Sequence, residues 1–187
     1  WNWFLPVAKK ISFSLFKYLY GHTNTTIVHS PPAGEEATML GAKTVRYIPM
    51  GVNVPFTDTE RLLHEKNRSR IWPTEYFKLD PEKPVILYFG RISKEKKVLY
   101  LAEVSRLMDM AFLFVGGGPL KKDLSKYPNV KAAGFRYADE LRDIYLGCDM
   151  LVSASTSETL GKIFLEALAC GTPIIAAAKG HHNAVLK

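Results

Sequence analysis

The alternation of hydrophobic and polar positions changes character at Pro84. Beyond it, apolar runs of strand length alternate with stretches of helical period. The runs are Val85–Phe89 (VILYF), Ala111–Val115 (AFLFV), Val130–Ala133, Met150–Ser153 and Ile174–Ala177. Between them the pattern predicts helices near Val98–Met108, Leu120–Lys126, Ala138–Leu146 and Lys162–Ala169. Strands that are apolar on both faces and separated by helices specify an α/β fold with a doubly wound parallel sheet. In such sheets ligands bind outside the carboxyl ends of the strands, so the loops that follow each strand are where chemistry is expected.

Before Pro84 the signal is sparser. Thr25–His29 reads as a short buried strand, followed by a helix near Gly34–Leu40 that stops at Gly41, and Val45–Ile48 is a second short strand. From Val52 to Pro84 the chain is polar and is punctuated by Pro55, Pro73, Pro81 and Pro84, with one helix expected around Glu60–Arg70. The implied division is a remnant of one domain over 1–50, an interdomain segment over 51–84 and a ligand-binding domain over 85–187, the last cut short at its C-terminal side. At the start, Phe4, Leu5, Ala8, Ile11, Leu15 and Leu19 fall near one side of a helix that Lys9, Lys10 and Lys17 interrupt. That pattern fits a helix packed on another domain better than a membrane-surface helix, and no uncharged run reaches membrane-spanning length. No signal peptide is legible after Trp1.

Composition narrows the partners. The 187 residues are 47% hydrophobic and 23% charged, the balance of an ordinary globular protein. The formal charge of +7, from 25 Lys and Arg against 18 Asp and Glu, favours an anionic partner. With no long Lys/Arg run and no basic–aromatic interleaving, nucleic acid is the weaker candidate. Cys148 and Cys170 lack CxxC spacing and read as reduced core thiols. The neighbouring His181 and His182 read as exposed, and no metal site is expected.

Four loops carry candidate chemistry. After the first strand of the alternating region, Gly90 permits a sharp turn and Arg91 and Lys96 come next, two cations suited to a diphosphate. After the second, Gly116-Gly117-Gly118-Pro119 is a bare-backbone turn, either a tight turn alone or a place where a ligand approaches the backbone. The third ends in Gly134-Phe135-Arg136, an aromatic and a cation able to flank a nucleobase. In the fourth, Glu158, Thr159 and Leu160 precede Gly161, which opens a helix whose N-terminal amides favour a phosphate. Glu166 lies further along that helix, with Ile163, Phe164, Ala167 and Leu168 as its buried face. Two acids with a phosphate site between them suit a nucleotide-sugar, although Ser155-x-x-Glu158 is equally a capping-box pattern. The sequence GRISKEKK after the first of these strands is not the GxGxxG of a nicotinamide site.

These segments resemble the donor-binding domain of family-4 retaining glycosyltransferases. GR-x(3)-EK matches at Gly90–Lys96, G-x-G-P at Gly116–Pro119 and E-x(7)-E at Glu158–Glu166, continued by EALACGTPII. The likeness runs from about Thr25 to Ala178, and the start WNWFLPVAKK with SETLGKIFLEAL most resembles the sulfoquinovosyl-diacylglycerol synthase type of plants and cyanobacteria. The resemblance implies the Rossmann-like C-terminal half of a GT-B fold and a nucleotide-diphosphate-sugar donor, UDP-linked by analogy, with no separate cofactor. It implies transfer with retained configuration, to an acceptor that the subfamily likeness makes a membrane lipid. By that analogy Arg91, Lys96 and Glu158 are catalytic: the two cations hold the diphosphate and Glu158 contacts the donor sugar. Gly90, Gly117, Thr159, Leu160 and Gly161 line the donor, Glu166 binds the ribose, and Phe135 and Arg136 lie beside the base. Lys97 departs from the Gly that usually follows EK, Met50 from the Asn of I-P-N-G-V, and GHHNAV from the usual Gly-Gly loop. The location implied is cytoplasmic or at a membrane surface, chloroplast for the plant type, and a chain of this length is expected to bind donor weakly or not at all by itself and not to turn over. A noncatalytic nucleotide-sugar-binding module and a peripheral membrane protein are the alternatives.

Overall fold

The computed structural model describes residues 4–52, 71–156 and 161–178. Two compact units make up the chain, one built on Trp1–Gly51 and one on Val52–Val185.

In the first unit α1 spans Phe4–His22, β1 Thr26–Val28, α2 Pro31–Met39 and β2 Val45–Tyr47, with β1 and β2 parallel. The Ser30 hydroxyl caps α2 by accepting the Ala33 N–H at 3.4 Å, and Pro31 and Pro32 occupy first-turn positions that need no donor. Gly41, at φ +92°, ends the helix as expected. On α1, Ile11, Leu15 and Leu19, expected near one side of the helix, are exposed, and so are Phe13, Phe16 and Tyr18.

The second unit is a five-stranded, wholly parallel sheet. β3 is Val85–Phe89, β4 Ala111–Val115, β5 Val130–Gly134, β6 Met150–Ser153 and β7 Ile174–Ala176, in the spatial order β5-β4-β3-β6-β7. The continuous apolar runs are explained by burial on both faces. Val85, Leu87, Leu113, Val115 and Leu151 enter one core, closed by Phe77, Ile144, Tyr145, Phe164 and Ala167. Ile86, Tyr88, Phe112 and Phe114 enter the other, closed by Val98, Leu101, Ala102 and Leu124. The helices are α3 (Ile71–Phe77), α4 (Val98–Ser105), α5 (Ala138–Gly147) and α6 (Lys162–Ala169). α4 buries Val98, Leu101, Ala102 and Ser105, the 3.6-residue period of a helix on a sheet. Both cysteines are free and buried, as their isolation in the sequence implied.

Several expectations need correction. The segment expected as a helix near Leu120–Lys126 is only a 3-10 turn at Asp123–Lys126. It is anchored by buried Leu124 and bounded by Pro119 and by Pro128, which holds Tyr127 extended. α4 stops at Ser105, not Met108, because the Asn129 amide donates to the carbonyls of Ser105 and Met108 at 3.0 and 3.4 Å. Part of the stretch 51–84, read as interdomain, instead forms α3, whose Phe77 is in the sheet core; Pro73 sits in its first turn, where proline is tolerated. The helix expected around Glu60–Arg70 lies outside the described residues. Leu168, assigned to the buried face of α6, is 48% exposed; Phe164 and Ala167 carry that face. No helix among the described residues is long and apolar enough to cross a membrane.

Candidate functional site

The strand order creates a switch point. The chain proceeds outward from β3 through β4 to β5, then returns to the other side of β3 with β6 and β7. The connections after β3 and β6 therefore diverge at the carboxyl ends of the strands, the position at which ligands bind in open parallel sheets. Arg91 and Lys96 lie on the connection after β3, and Gly161 and α6 on the connection after β6.

Backbone bonds lace the first three loops together. The Gly90 N–H donates to the Val115 carbonyl at 3.0 Å, Ile92 N–H to Gly117 at 2.9 Å, Gly116 N–H to Gly134 at 2.8 Å and Leu120 N–H to Ile92 at 3.2 Å. The Tyr88 hydroxyl, anchored from β3, donates to the Arg91 carbonyl at 2.8 Å. This lacing explains the glycine run. A Cβ on Gly116, which sits at φ +130°, would collide with the Gly90 carbonyl, and one on Gly118 with that of Ile92. The glycines are thus required by loop meeting loop, before any ligand is considered. A Cβ on Gly117 would strike the Phe135 ring, so that ring lies against bare backbone while remaining 66% exposed.

Arg136 is less free than its neighbour. Its guanidinium centre lies 5.3 Å from the ring centroids of both Tyr76 and Phe77, and Nη1 is 3.7 Å from Glu140. The ring contacts tie the third loop to α3, and the Glu140 contact ties it to α5. The Arg136 Nε is buried and has no hydrogen-bond acceptor among the described residues.

On the other side of the switch point, Gly161 at φ +69° starts α6 and accepts the Phe164 N–H at 2.9 Å. A Cβ here would run into the Phe164 ring, which is fully buried. Glu166, one turn further, is held at both oxygens. The Tyr145 hydroxyl of α5 donates to Oε2 at 3.0 Å, and Lys162 Nζ pairs with Oε1 at 3.1 Å. Burial, and then the adjacent Glu166 carboxylate, push the Tyr145 phenol well above its ordinary range, so it stays a donor. The carboxylate is 23% exposed, and each oxygen retains acceptor capacity for a further donor.

The structure thus brings Gly90, Gly117 and Phe135 into one laced cluster and fixes Gly161 and Glu166 on the opposite connection. Arg91 and Lys96 are carried by the first of these loops. Glu158, Thr159 and Leu160 lie outside the described residues, as do His181 and His182. Arg91 and Glu166 share no hydrogen bond or ion pair among the described residues. Sequence reasoning missed the two groups that orient Glu166. Lys162 was legible as an i,i+4 partner, whereas Tyr145, 21 residues distant, was not. It also passed over the conformation of Lys97, a non-glycine residue at φ +54° where α4 begins.

The model of the family described as "Glycosyl transferases group 1" matches residues 83–187. The chain belongs to that family. Sulfoquinovosyl transferase SQD2 of Arabidopsis thaliana is 32% identical over 178 residues, 91% of this chain and 34% of that protein. Alpha-monoglucosyldiacylglycerol synthase of Streptococcus pneumoniae is 36% identical over 116 residues, covering 56% of this chain and 26% of the relative. Anabaena Alr3699/HepE, solved in complex with UDP-glucose, shares the fold with a TM-score of 0.68 at 19% identity, over 86% of this chain and 46% of that one. The sheet described above is therefore a Rossmann-like half of the GT-B architecture of glycosyltransferases. The chain spans about a third of the plant glycosyltransferase it matches.

Proposed function

We propose that these residues form the donor-binding part of a retaining glycosyltransferase that takes a sugar from a nucleotide diphosphate, a UDP-sugar. The reading is supported by topology: the connection that carries Arg91 and Lys96 and the one that ends in the glycine-opened start of α6 leave adjacent strands on the two sides of the switch point. Cationic side chains and helix N-terminal amides are two independent ways to hold a pyrophosphate. Placed on either side of the switch point, they stabilise the negative charge that grows on the leaving phosphate as the sugar departs, without reorganisation at the moment of reaction. Glu166, pre-oriented by Tyr145 and Lys162, accepts ribose hydroxyls. Glu158 contacts the donor sugar, with Thr159, Leu160 and Gly161 beside it. Phe135 offers a ring face to the base, and a ligand acceptor would satisfy the orphan Arg136 Nε–H.

The acceptor we assign is a membrane lipid, with the protein working at a membrane surface. Support comes from the likeness to a monoglucosyldiacylglycerol synthase and to a sulfoquinovosyl transferase. The donor site is tested by titrating the chain with UDP and UDP-glucose. Arg91→Ala and Glu166→Ala are each expected to weaken binding about tenfold, the loss of one charge-assisted contact of roughly 1.5 kcal/mol. Affinity unchanged by both substitutions removes the assignment. Sugar transfer is then assayed with these residues in the context of a relative's full length, using diacylglycerol in vesicles as acceptor.

A further inference from the structure

The second unit carries a groove of about 1070 Å³ that none of the candidate donor-binding residues lines. It runs along β5, an edge strand of the described sheet, and past the starts of β4 and β5. Lys78 and Lys83 reach it from the segment after α3, Lys121 and Lys122 from the turn after the glycine run, and Lys131 from β5 itself. Asp80 is the single carboxylate in the lining. Lys83 is paired with Asp109 at 2.7 Å outside the groove, but Lys78, Lys121, Lys122 and Lys131 have no ion-pair partner among the described residues. Other polar groups in the wall are already spent. The Tyr127 hydroxyl donates to Glu103, the Ser125 hydroxyl to the Lys122 carbonyl, and the Asn129 amide to the carbonyls of Ser105 and Met108. The charge the groove offers a ligand is therefore that of five lysines against one carboxylate, delivered from three separate segments into one concavity that Leu79, Met110 and Pro128 also line.

We propose that this groove binds a ligand bearing several clustered phosphate groups. Lysine is a compact point charge on a flexible stem, suited to multiple monoester phosphates whose spacing need not be rigidly matched. Four unpaired ammonium groups in one concavity repel one another, and a polyanion relieves that repulsion. A single phosphate would engage too few of them. One end of the groove adjoins the third loop, because Lys121 Nζ lies 3.3 Å from where a Cβ of Gly134 would stand. The phosphate cluster can come from a soluble polyphosphate or from a phospholipid headgroup, and the experiment separates the two.

Inositol hexakisphosphate is titrated into the full chain at low and at high salt. The expected result is binding that weakens with salt and is not displaced by UDP. The triple variant Lys121→Glu/Lys122→Glu/Lys131→Glu is expected to lose at least about tenfold in affinity, each exposed pair being worth roughly two- to fivefold. A Lys→Gln version of the same triple, checked by its thermal melt, shows that any loss is not unfolding. Lys17→Glu/Lys43→Glu/Arg46→Glu, which removes equal charge from exposed positions of the first unit, is expected to retain most of the affinity. Sedimentation with phosphatidylcholine vesicles containing phosphatidylinositol 4,5-bisphosphate identifies the source: groove-dependent pelleting assigns a headgroup, and its absence beside tight soluble binding assigns a free polyphosphate. Absence of binding to both probes, displacement by UDP, or equal losses in the two charge-reversal triples overturns the site.

Discussion

Replacing Gly161 by alanine tests how the sequence builds the mouth of the site. Two costs are visible. Gly161 adopts φ +69°, and a left-handed conformation costs an L-residue with a side chain about 1–2 kcal/mol. The new methyl also enters the space of the Phe164 ring, which is fully buried and close-packed. Driving that ring off its rotamer adds about 0.5–1.5 kcal/mol. Alanine stiffens the unfolded chain, which returns about 0.4–1 kcal/mol, so the net loss is roughly 0.5–3 kcal/mol. Urea unfolding followed by circular dichroism reads this directly, as a lowered midpoint at unchanged slope. Because both costs act at the start of α6, UDP affinity should fall alongside stability. Gly161→Asn separates the terms: asparagine tolerates the left-handed region yet still places a Cβ against the ring, so it should fall between glycine and alanine. Adding Phe164→Leu removes the obstructing ring edge, and the cost of Gly161→Ala should then shrink by about 0.5–1.5 kcal/mol. Strict additivity of the two substitutions, or an alanine variant as stable as the parent, would refute the account.

Other outcomes rest on the same geometry. Tyr145→Phe should lower stability by about 1 kcal/mol through the lost bond to Glu166 and weaken UDP binding severalfold, measured by calorimetry. Because burial raises the Tyr145 phenol above its ordinary value of 10.0 in the folded state, its stabilising contribution is complete below about pH 10 and is lost as pH rises further. The alkaline fall in melting temperature should therefore be shallower in Tyr145→Phe than in the parent. Lys97→Gly should stabilise the chain by about 0.5–1 kcal/mol in urea unfolding, since it relieves φ +54° at the start of α4 while loosening the unfolded chain. Phe135→Ala should leave stability within about 0.5 kcal/mol, as for other exposed positions, yet reduce UDP affinity severalfold, separating its role at the site from one in the core.

The family, the α/β class and the succession of strands in the second unit were legible from the chain alone. An apolar run such as VILYF can only be satisfied by burial on both faces, and a parallel strand buried that way needs helices between it and the next. The candidate loops were legible for the same reason, since each is the connection leaving the carboxyl end of such a strand. Local pattern failed where a distant residue decides the outcome. The turn at Asp123–Lys126 reads as helix until flanking prolines and one buried leucine are placed against the sheet, and α3 reads as linker until Phe77 finds the core. Glycines 116–118 could announce close approach, but not that the approaching partners are the carbonyls of Gly90 and Ile92 and the ring of Phe135. Likewise the alignment of Glu166 by Tyr145, and the gathering of five lysines from three segments into one groove, exist only after the strands assume the order β5-β4-β3-β6-β7. Periodicity is a property of neighbours in sequence, and it encodes which face of each element is buried. Which buried faces and loops then meet depends on contacts between residues far apart in the chain, and these form only with the tertiary structure.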